Sequence, residues 1–537
     1  MPAPDPASAH RRGDALLPAV AALAALLVFA RSVGNGFAYD DVLAISQNPL
    51  LHGFGTLPAV VREPYWPLYG TLYRPLTLLS FGIEWSLSGG RPWLSHLINV
   101  LWHALATALV CRLAARWLPP AGALAAGLAF ALHPVHAEAV ANVVGRSELV
   151  CAAMLLAMSL VVARAGDLGR GRAAALAALA ALALASKETG VVAPAVAFGV
   201  AWAYPPARAA AGRAAAAASI GVVPLLVARY VVLGTLRGDT PHPAFQAASP
   251  PEHALLVLGS LARATWSLLV PSVPRIEWAP PLASVRAPSV ALAVAGALVL
   301  AAVTAALVAH VRRPTLPTLA LWIAAATLAP TANVLFPTGI VLAERTLYSP
   351  SIGACLLVGA LAAAAWSAEG RAPRSARVAA RVALLAWGAA AALIVVPESA
   401  VWRDDDTVAA AMLARAPDSY RAQTFAGARA QARGDRATAL RRYREAVRLF
   451  PEDATTLYAA ASLAIPAGDT AAATAWLRHA VELDPSIRRP RTMLARLLMA
   501  GGNRDEAVRV LDDGLRREPE QRVWRRWRDS LAAVGTP

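Results

Sequence analysis

Apolar residues in this chain fall in long runs that recur from residue 15 to about residue 396. A helix of about 20 apolar residues crosses the ~30 Å hydrocarbon core of a bilayer, and lipid tolerates only segments that satisfy their own backbone. Candidate spans lie at residues 15–33, 95–116, 120–137, 145–164, 173–186, 190–204, 216–233, 254–270, 288–309, 317–330, 347–366 and 379–396. The expected fold class is therefore all-α, with a polytopic membrane domain of about 11–13 helices. The range reflects how many of the segments are Ala-rich and short. Charged residues make up 16% of the chain, against about 25% in an ordinary soluble domain. The first run is long enough to span and has no small-residue cleavage site before the acids that follow, so a signal peptide is not expected.

The formal net charge is +16, but its distribution argues against a nucleic-acid partner. Basic residues cluster in short loops between apolar segments: Arg11 and Arg12; Arg112 and Arg116; Arg164, Arg170 and Arg172; Arg208 and Arg213; Arg371, Arg374 and Arg377. This is the positive-inside bias of cytoplasmic loops. It places the N-terminus in the cytoplasm and the loop from about residue 35 to 94 on the opposite face. Sparse charge between residues 234 and 316 leaves a parity conflict there. Cys111, Cys151 and Cys355 sit within or beside apolar runs, at spacings that suit neither zinc nor a disulfide framework.

The first external loop contains WPLYGTLYRPLTLLSFGIEWSL, where aromatic and aliphatic residues interleave with Arg74 and Glu84. Short amphipathic helices at the membrane interface have this composition. After residue 403 the chain turns polar and a repeat appears: GDRATALRRYREAVRLFP, GDTAAATAWLRHAVELDP, GNRDEAVRVLDDGLRREP. Gly434, Gly468 and Gly502 share a 34-residue period with Ala439, Ala473 and Ala507 and with Pro451, Pro485 and Pro519. That period and register predict a short α-solenoid of about three tetratricopeptide repeats. The expected division is a membrane domain over residues 1–402 and a repeat domain over 403–537.

Acids near membrane depth are expensive and suggest function. FAYDDVLAISQNP carries Asp40 and Asp41, LHPVHAEAVANVVGRSE carries His133, His136, Glu138, Arg146 and Glu148, SKETG carries Lys187 and Glu188, and FPTGIVLAERTLYSPS carries Glu344 and Arg345. Structural readings compete. The acidic pair can cap a helix, and Glu344 with Arg345 can be a buried ion pair. His133, His136 and Glu138 do not match a recognised zinc helix motif, so no metal ligands are assigned. The functional reading is a cleft at the outer leaflet. One carboxylate takes a proton from an acceptor hydroxyl, and Arg345 or Lys187 neutralises a phosphate leaving group.

The series YDDVLAISQNP, YRPLTLLSF, SHLINVLWHAL, FALHPVHAEAVANVVGRSEL, ASKETG, PTANVLFPTGIVLAERTLYSPSIGACLL and VWRDDDT, followed by the repeats, resembles the transmembrane-and-TPR (TMTC-like) protein O-mannosyltransferases and their bacterial relatives. These belong to the GT-C superfamily. The resemblance implies an inverting glycosyltransferase that uses a polyprenyl-phosphate sugar. It implies catalysis on the exoplasmic face, with the repeats there as a platform for a protein or glycan acceptor. By the same resemblance, Asp40 or Asp41 is the base or orients the acceptor, Glu138 is a catalytic acid-motif residue, and Arg345 meets the donor phosphate. His133, His136, Arg146 and Lys187 match family positions without an assigned role, and Glu344 is a further candidate. Metal dependence differs among GT-C families, so a divalent metal stays open. The Ala/Arg-rich composition suggests a GC-rich bacterial genome, and with it a bacterial inner membrane with the site and repeats on the periplasmic side. The repeat array is shorter than in eukaryotic members, which leaves sugar and acceptor open.

Two other readings compete. One is a non-catalytic, membrane-anchored scaffold whose repeats recruit envelope proteins. The other is a transporter, for which the chain lacks visible internal symmetry.

Overall fold

The computed structural model describes residues 6–66, 72–164, 167–236, 240–367 and 372–533, with side chains from residue 16 to residue 532. Arg371, residues 67–71 of the aromatic loop and the side chains of Arg11 and Arg12 lie outside this description. The described chain is helical, without strands. It divides into two compact units. The first comprises Met1–His242, Ala254–Ile276 and Pro288–Val408; the second comprises Pro243–His253, Glu277–Ala287 and Ala409–Pro537.

In the first unit every predicted apolar segment is a helix. They are α1 (Pro6–Phe29), α2 (Trp93–Ala114), α3 (Pro120–Leu132), α4 (Arg146–Val162), α5 (Arg170–Ser186), α6 (Ala193–Ala203), α7 (Ala211–Leu233), α8 (Pro250–Leu269), α9 (Val290–Arg312), α10 (Leu316–Leu328), α11 (Ser351–Trp366) and α12 (Arg374–Glu398). Among the described residues six helical stretches are long and apolar enough to cross a membrane: Leu16–Gly34, Trp93–Ala114, Val143–Val162, Pro205–Leu233, Val290–Arg312 and Arg374–Arg403. Shorter apolar helices pack with them, including Pro120–Leu132 and Ser351–Trp366. Where hydrophobicity no longer favours helix contact over lipid contact, small residues bring helices together. Gly122 and Gly359 do so for α3 and α11: a Cβ on either would press on the other's carbonyl oxygen.

Loops gather at two ends of this bundle. At one end Trp202 donates to the Val311 carbonyl at 3.0 Å and the Trp117 and Tyr204 rings meet edge-on. The connections that carry Arg112 and Arg116, and Arg208 and Arg213, lie at this end. At the other, Asn35 Nδ2 donates to Ser399 O at 2.8 Å and the Gly36 N–H to Arg403 O at 2.9 Å, joining the exit of α1 to the exit of α12. All the predicted acidic motifs gather here.

The expectation that residues 254–270 cross the membrane is corrected, and with it the parity conflict is removed. The His242 N–H donates to Thr338 O at 2.8 Å, ahead of α8. The Arg275 N–H donates to Glu344 Oε1 at 2.8 Å, after it. Both flanks therefore return to the same end, and α8 is not among the helices long and apolar enough to cross a membrane. Pro271 and Pro274 stop the helix. Its terminal carbonyls are satisfied by side chains: Leu268 O by His133 Nε2 at 3.0 Å and Leu269 O by Trp387 Nε1 at 2.9 Å.

The aromatic first loop contains a helix at Pro75–Ser88, closed by Gly89 at φ 63°. Its buried face includes Thr77, Phe81 and Glu84, while Leu87 is exposed.

The second unit is built from helix pairs: Tyr420–Ala432 with Arg436–Leu449, Ala454–Ala464 with Thr470–Leu483, and Arg488–Ala500 with Arg504–Arg517, then Arg522–Ala533. The periodic glycines occupy the turn within each pair at φ +81°, +84° and +75°, which L side chains rarely adopt. Asp435 and Asp469 cap the helices that follow, accepting from Thr438 N at 3.0 Å and Ala472 N at 3.2 Å. Ala439, Ala473 and Ala507 are fully buried where paired helices touch.

Candidate active site

The two adjacent acids point to different places. Asp41 is buried and accepts from the backbone N–H groups of Val144 at 2.8 Å, Val143 at 3.1 Å and Ala38 at 3.4 Å. It clamps the first loop onto the entry of α4. Burial pushes its pKa up to about 8, against the downward pull of those three N–H groups. Asp40 instead lines a cavity of about 360 Å³ in the first unit. The split is made by Tyr39, which sits at φ 57°, a costly conformation for a bulky residue. The Tyr39 N–H donates to Asp405 Oδ1 at 2.7 Å, so the WRDDDT stretch after α12 holds the turn that presents Asp40.

Arg345 joins Asp40 to the HPVHAE segment. Its Nη1 lies 3.6 Å from Asp40 Oδ2 and 2.5 Å from Glu138 Oε1, and its backbone N–H donates to Glu138 Oε2 at 3.0 Å. Burial opposes the Arg345 charge, but Glu138 and Asp40 outweigh it and hold the guanidinium more firmly protonated than usual. Burial also raises the Glu138 carboxyl, partly offset by Arg345.

Three more cations line the cavity. Arg74 grips Glu188 through Nε at 2.9 Å and Nη2 at 2.7 Å, and Arg229 approaches the same carboxylate at 3.4 Å. Lys187 forms an ion pair with Glu148. Burial, reinforced by the Arg74 and Arg345 charges, holds the Lys187 ammonium well below the usual lysine range. Tyr65, fully buried, stacks under the Arg74 guanidinium at 4.8 Å, and its hydroxyl has no hydrogen-bond partner among the described residues. Apolar side chains such as Leu184, Val191, Leu226 and Phe336 complete the wall. A loop from Thr331 to Ile340 closes it, pinned by Asn333, which adopts φ 58°. The Asn333 carboxamide accepts from Thr338 N at 2.7 Å and donates to Ile340 O at 3.0 Å.

The other predicted residues lie outside the cavity lining. His136 is held by Phe130 O and Ser351 Oγ, both at 2.8 Å, and His133 by Leu268 O. Arg146 is fully buried and forms an ion pair with Glu84, donating also to Asn99 Oδ1 and, at 2.8 Å, to Ser95 O. Glu344 accepts from the Arg275 N–H. Among the described residues no group of three or more His, Cys, Asp and Glu side chains is arranged to hold a metal ion. His133, His136 and Glu138 in particular are turned to separate partners. Arg229 and Tyr65 were not singled out from sequence. For Arg229 a signal existed, a lone arginine inside an apolar run; Tyr65 carries none.

Comparison with known proteins finds two kinds of likeness. A tetratricopeptide repeat family model matches residues 464–527. Protein O-mannosyl-transferase Tmtc2 of Drosophila melanogaster is 42% identical over 142 residues, 25% of this chain and 15% of that protein. Protein O-mannosyl-transferase TMTC3 of Homo sapiens is 36% identical over 138 residues, 24% and 15% of the two chains. Human protein O-mannosyl-transferase TMTC4 is 35% identical over 153 residues, 25% and 21%. The aligned segments thus span about a sixth to a fifth of these relatives' own length. A solved tetratricopeptide domain of Spaghetti (RPAP3), bound to an HSP90 peptide, aligns over 21% of this chain and 94% of that one at 16% identity, with a TM-score of 0.20. Across about a quarter of its length the chain is a homologue of the TMTC protein O-mannosyl-transferases, and in the sequence a tetratricopeptide repeat region follows the helices apolar enough to cross a membrane.

Proposed function

We propose that this protein is an integral-membrane GT-C glycosyltransferase. It moves a sugar, mannose by the names of its relatives, from a polyprenyl-phosphate donor to a hydroxyl acceptor, a protein serine or threonine, on the exoplasmic face. The observation that carries the reading is the composition of one cavity: Asp40, Glu148 and Glu188 line it with Arg74, Lys187, Arg229 and Arg345 and an apolar wall, and of the two partly exposed carboxylates Glu188 is gripped by Arg74 and Arg229 whereas Asp40 lies 3.6 Å from Arg345 alone. A sugar phosphate with an isoprenoid tail needs the cations and the apolar surface together.

In this reading Asp40 accepts the proton of the acceptor hydroxyl as its oxygen attacks the anomeric carbon. The bond from that carbon to the phosphate oxygen breaks, its electron pair stays with the phosphate, and a single displacement inverts the centre. Charge grows on the phosphate in the transition state, where preorganised cations act most strongly. Arg74, Arg229 and Lys187 serve that role. An incoming phosphate favours the ammonium form of Lys187, against the burial that disfavours it. Arg345, anchored by Glu138, is better placed to orient Asp40 than to meet the phosphate, because base and leaving group lie on opposite sides of the sugar carbon.

Charge supports the choice of face. The Arg-rich connections lie at the end opposite the cavity, and such loops stay in the cytoplasm. In a bacterial cell this reading has the cavity on the periplasmic side of the inner membrane. Mass spectrometry of exported proteins and envelope glycans, with and without the gene, tests the reading. A hexose lost from specific hydroxyls on deletion supports it. Unchanged glycosylation supports a scaffold without transfer activity instead.

A further inference from the structure

A groove of about 1090 Å³ lies within the second unit, along the helix Arg436–Leu449 and the turn after Ala464. Arg436, Arg441, Arg442, Arg444 and Arg448 line it against one acid, Glu445. Two of these charges are met locally: Arg444 by Asp469 at 2.6 Å and Arg448 by Glu445 at 2.5 Å. Arg441 and Arg442 instead bond neutral oxygens, Thr438 Oγ1 at 3.1 Å and Gln423 Oε1 at 3.2 Å. Neither these two nor Arg436 has a carboxylate within ion-pair distance among the described residues. The floor is apolar, formed by Leu440, Leu463 and Pro466.

From this arrangement we infer that the groove binds an extended acidic polypeptide segment, with carboxylates on the arginine rim and an intervening apolar side chain on the floor. The volume is at the upper end of small-ligand pockets, which run to about 1,000 Å³, so it suits a polymer better than a single anion. A flat anionic bilayer would meet the rim arginines but not the recessed floor, where Leu440 and Leu463 are buried. Where the proposed transfer reaction holds, the groove selects acidic acceptor proteins. The binding claim stands apart from that reaction, and its assay contains no sugar donor.

The full-length protein in neutral-lipid nanodiscs is titrated with a short fluorescein-labelled peptide rich in Asp and Glu with spaced leucines, read by anisotropy. Saturable binding is expected, weakening as salt rises from low to about 0.5 M, where screening falls within a few ångströms. Arg436→Glu with Arg441→Glu weakens it by about tenfold or more, the scale of two exposed charge contacts turned repulsive. Arg509→Glu with Arg526→Glu changes net charge equally at exposed positions away from the groove and leaves affinity within about twofold. A Ser-for-Leu version of the peptide binds more weakly. Circular dichroism of each variant confirms that the repeats stay helical. Three results would overturn the proposal: equal losses from both double variants, equal binding of a single-stranded oligonucleotide, or a preference for phosphatidylglycerol vesicles over the peptide.

Discussion

The Arg146–Glu84 pair offers a sharp test of which charges build the site and which work in it. Arg146 is 0% exposed and Glu84 3%, and the guanidinium is also bonded to Asn99, Ser95 O and Ser80. The pair joins the helix Pro75–Ser88 to the start of α4, just beyond the Val143–Val144 N–H groups that hold Asp41. Removing one partner strands a buried charge, which costs about 3–5 kcal/mol. Replacing both by apolar residues of similar volume removes the charge and its desolvation penalty together, and such exchanges are often neutral. Glu84→Leu and Arg146→Met are therefore each expected to cost about 3–5 kcal/mol. The double variant should come within about 1–2 kcal/mol of the parent, an interaction energy of at least about 4 kcal/mol. Equilibrium unfolding of the purified protein in mixed denaturing detergent, followed by tryptophan fluorescence, measures all four corners of the cycle. Additive single costs under about 1 kcal/mol would refute the reasoning, because they would mean that water reaches the pair.

Other consequences follow from the same geometry. Asp41 has a folded-state pKa raised to about 8 from an ordinary 3.8, so the fold binds an extra proton between those values. That contribution to stability is complete below about pH 4 and is lost as pH rises through about 8; thermal stability in detergent should fall across this window, and Asp41→Asn should flatten that fall. Asp405→Ala releases the Tyr39 turn and should slow sugar transfer by roughly tenfold with little change in donor KM, as expected for a group that positions another. Gly221→Ala places a Cβ against the Ala177 carbonyl oxygen where α7 crosses α5. It should cost about 1–3 kcal/mol in the same unfolding assay.

Much of this architecture is legible in the chain. Each apolar segment became a helix because a backbone in lipid has few other ways to bond itself. The repeats were legible because a left-handed turn at Gly434, Gly468 and Gly502 and a close contact at Ala439, Ala473 and Ala507 each tolerate few residue types. The path of α8 was not, since its return depends on bonds from His242 and Arg275 to residues far along the chain. The Asp40–Asp41 motif marks the candidate site, but which acid faces the cavity depends on a backbone turn at Tyr39 set by a residue 366 positions away. Arg74 and Glu188 were visible as charges, and only folding brings them together with Arg229.

The central claim is a division of labour: Asp40 moves a proton while Arg74, Lys187 and Arg229 hold the donor phosphate. It is tested most directly by measuring, on one preparation of the Asp40→Asn protein, both the binding of a polyprenyl-phosphate sugar and its transfer to a serine peptide. The account predicts donor affinity within a few-fold of the parent and transfer reduced by about 10²–10⁴, the usual contribution of a general base. Transfer at the parental rate, or donor binding lost together with transfer, would contradict it.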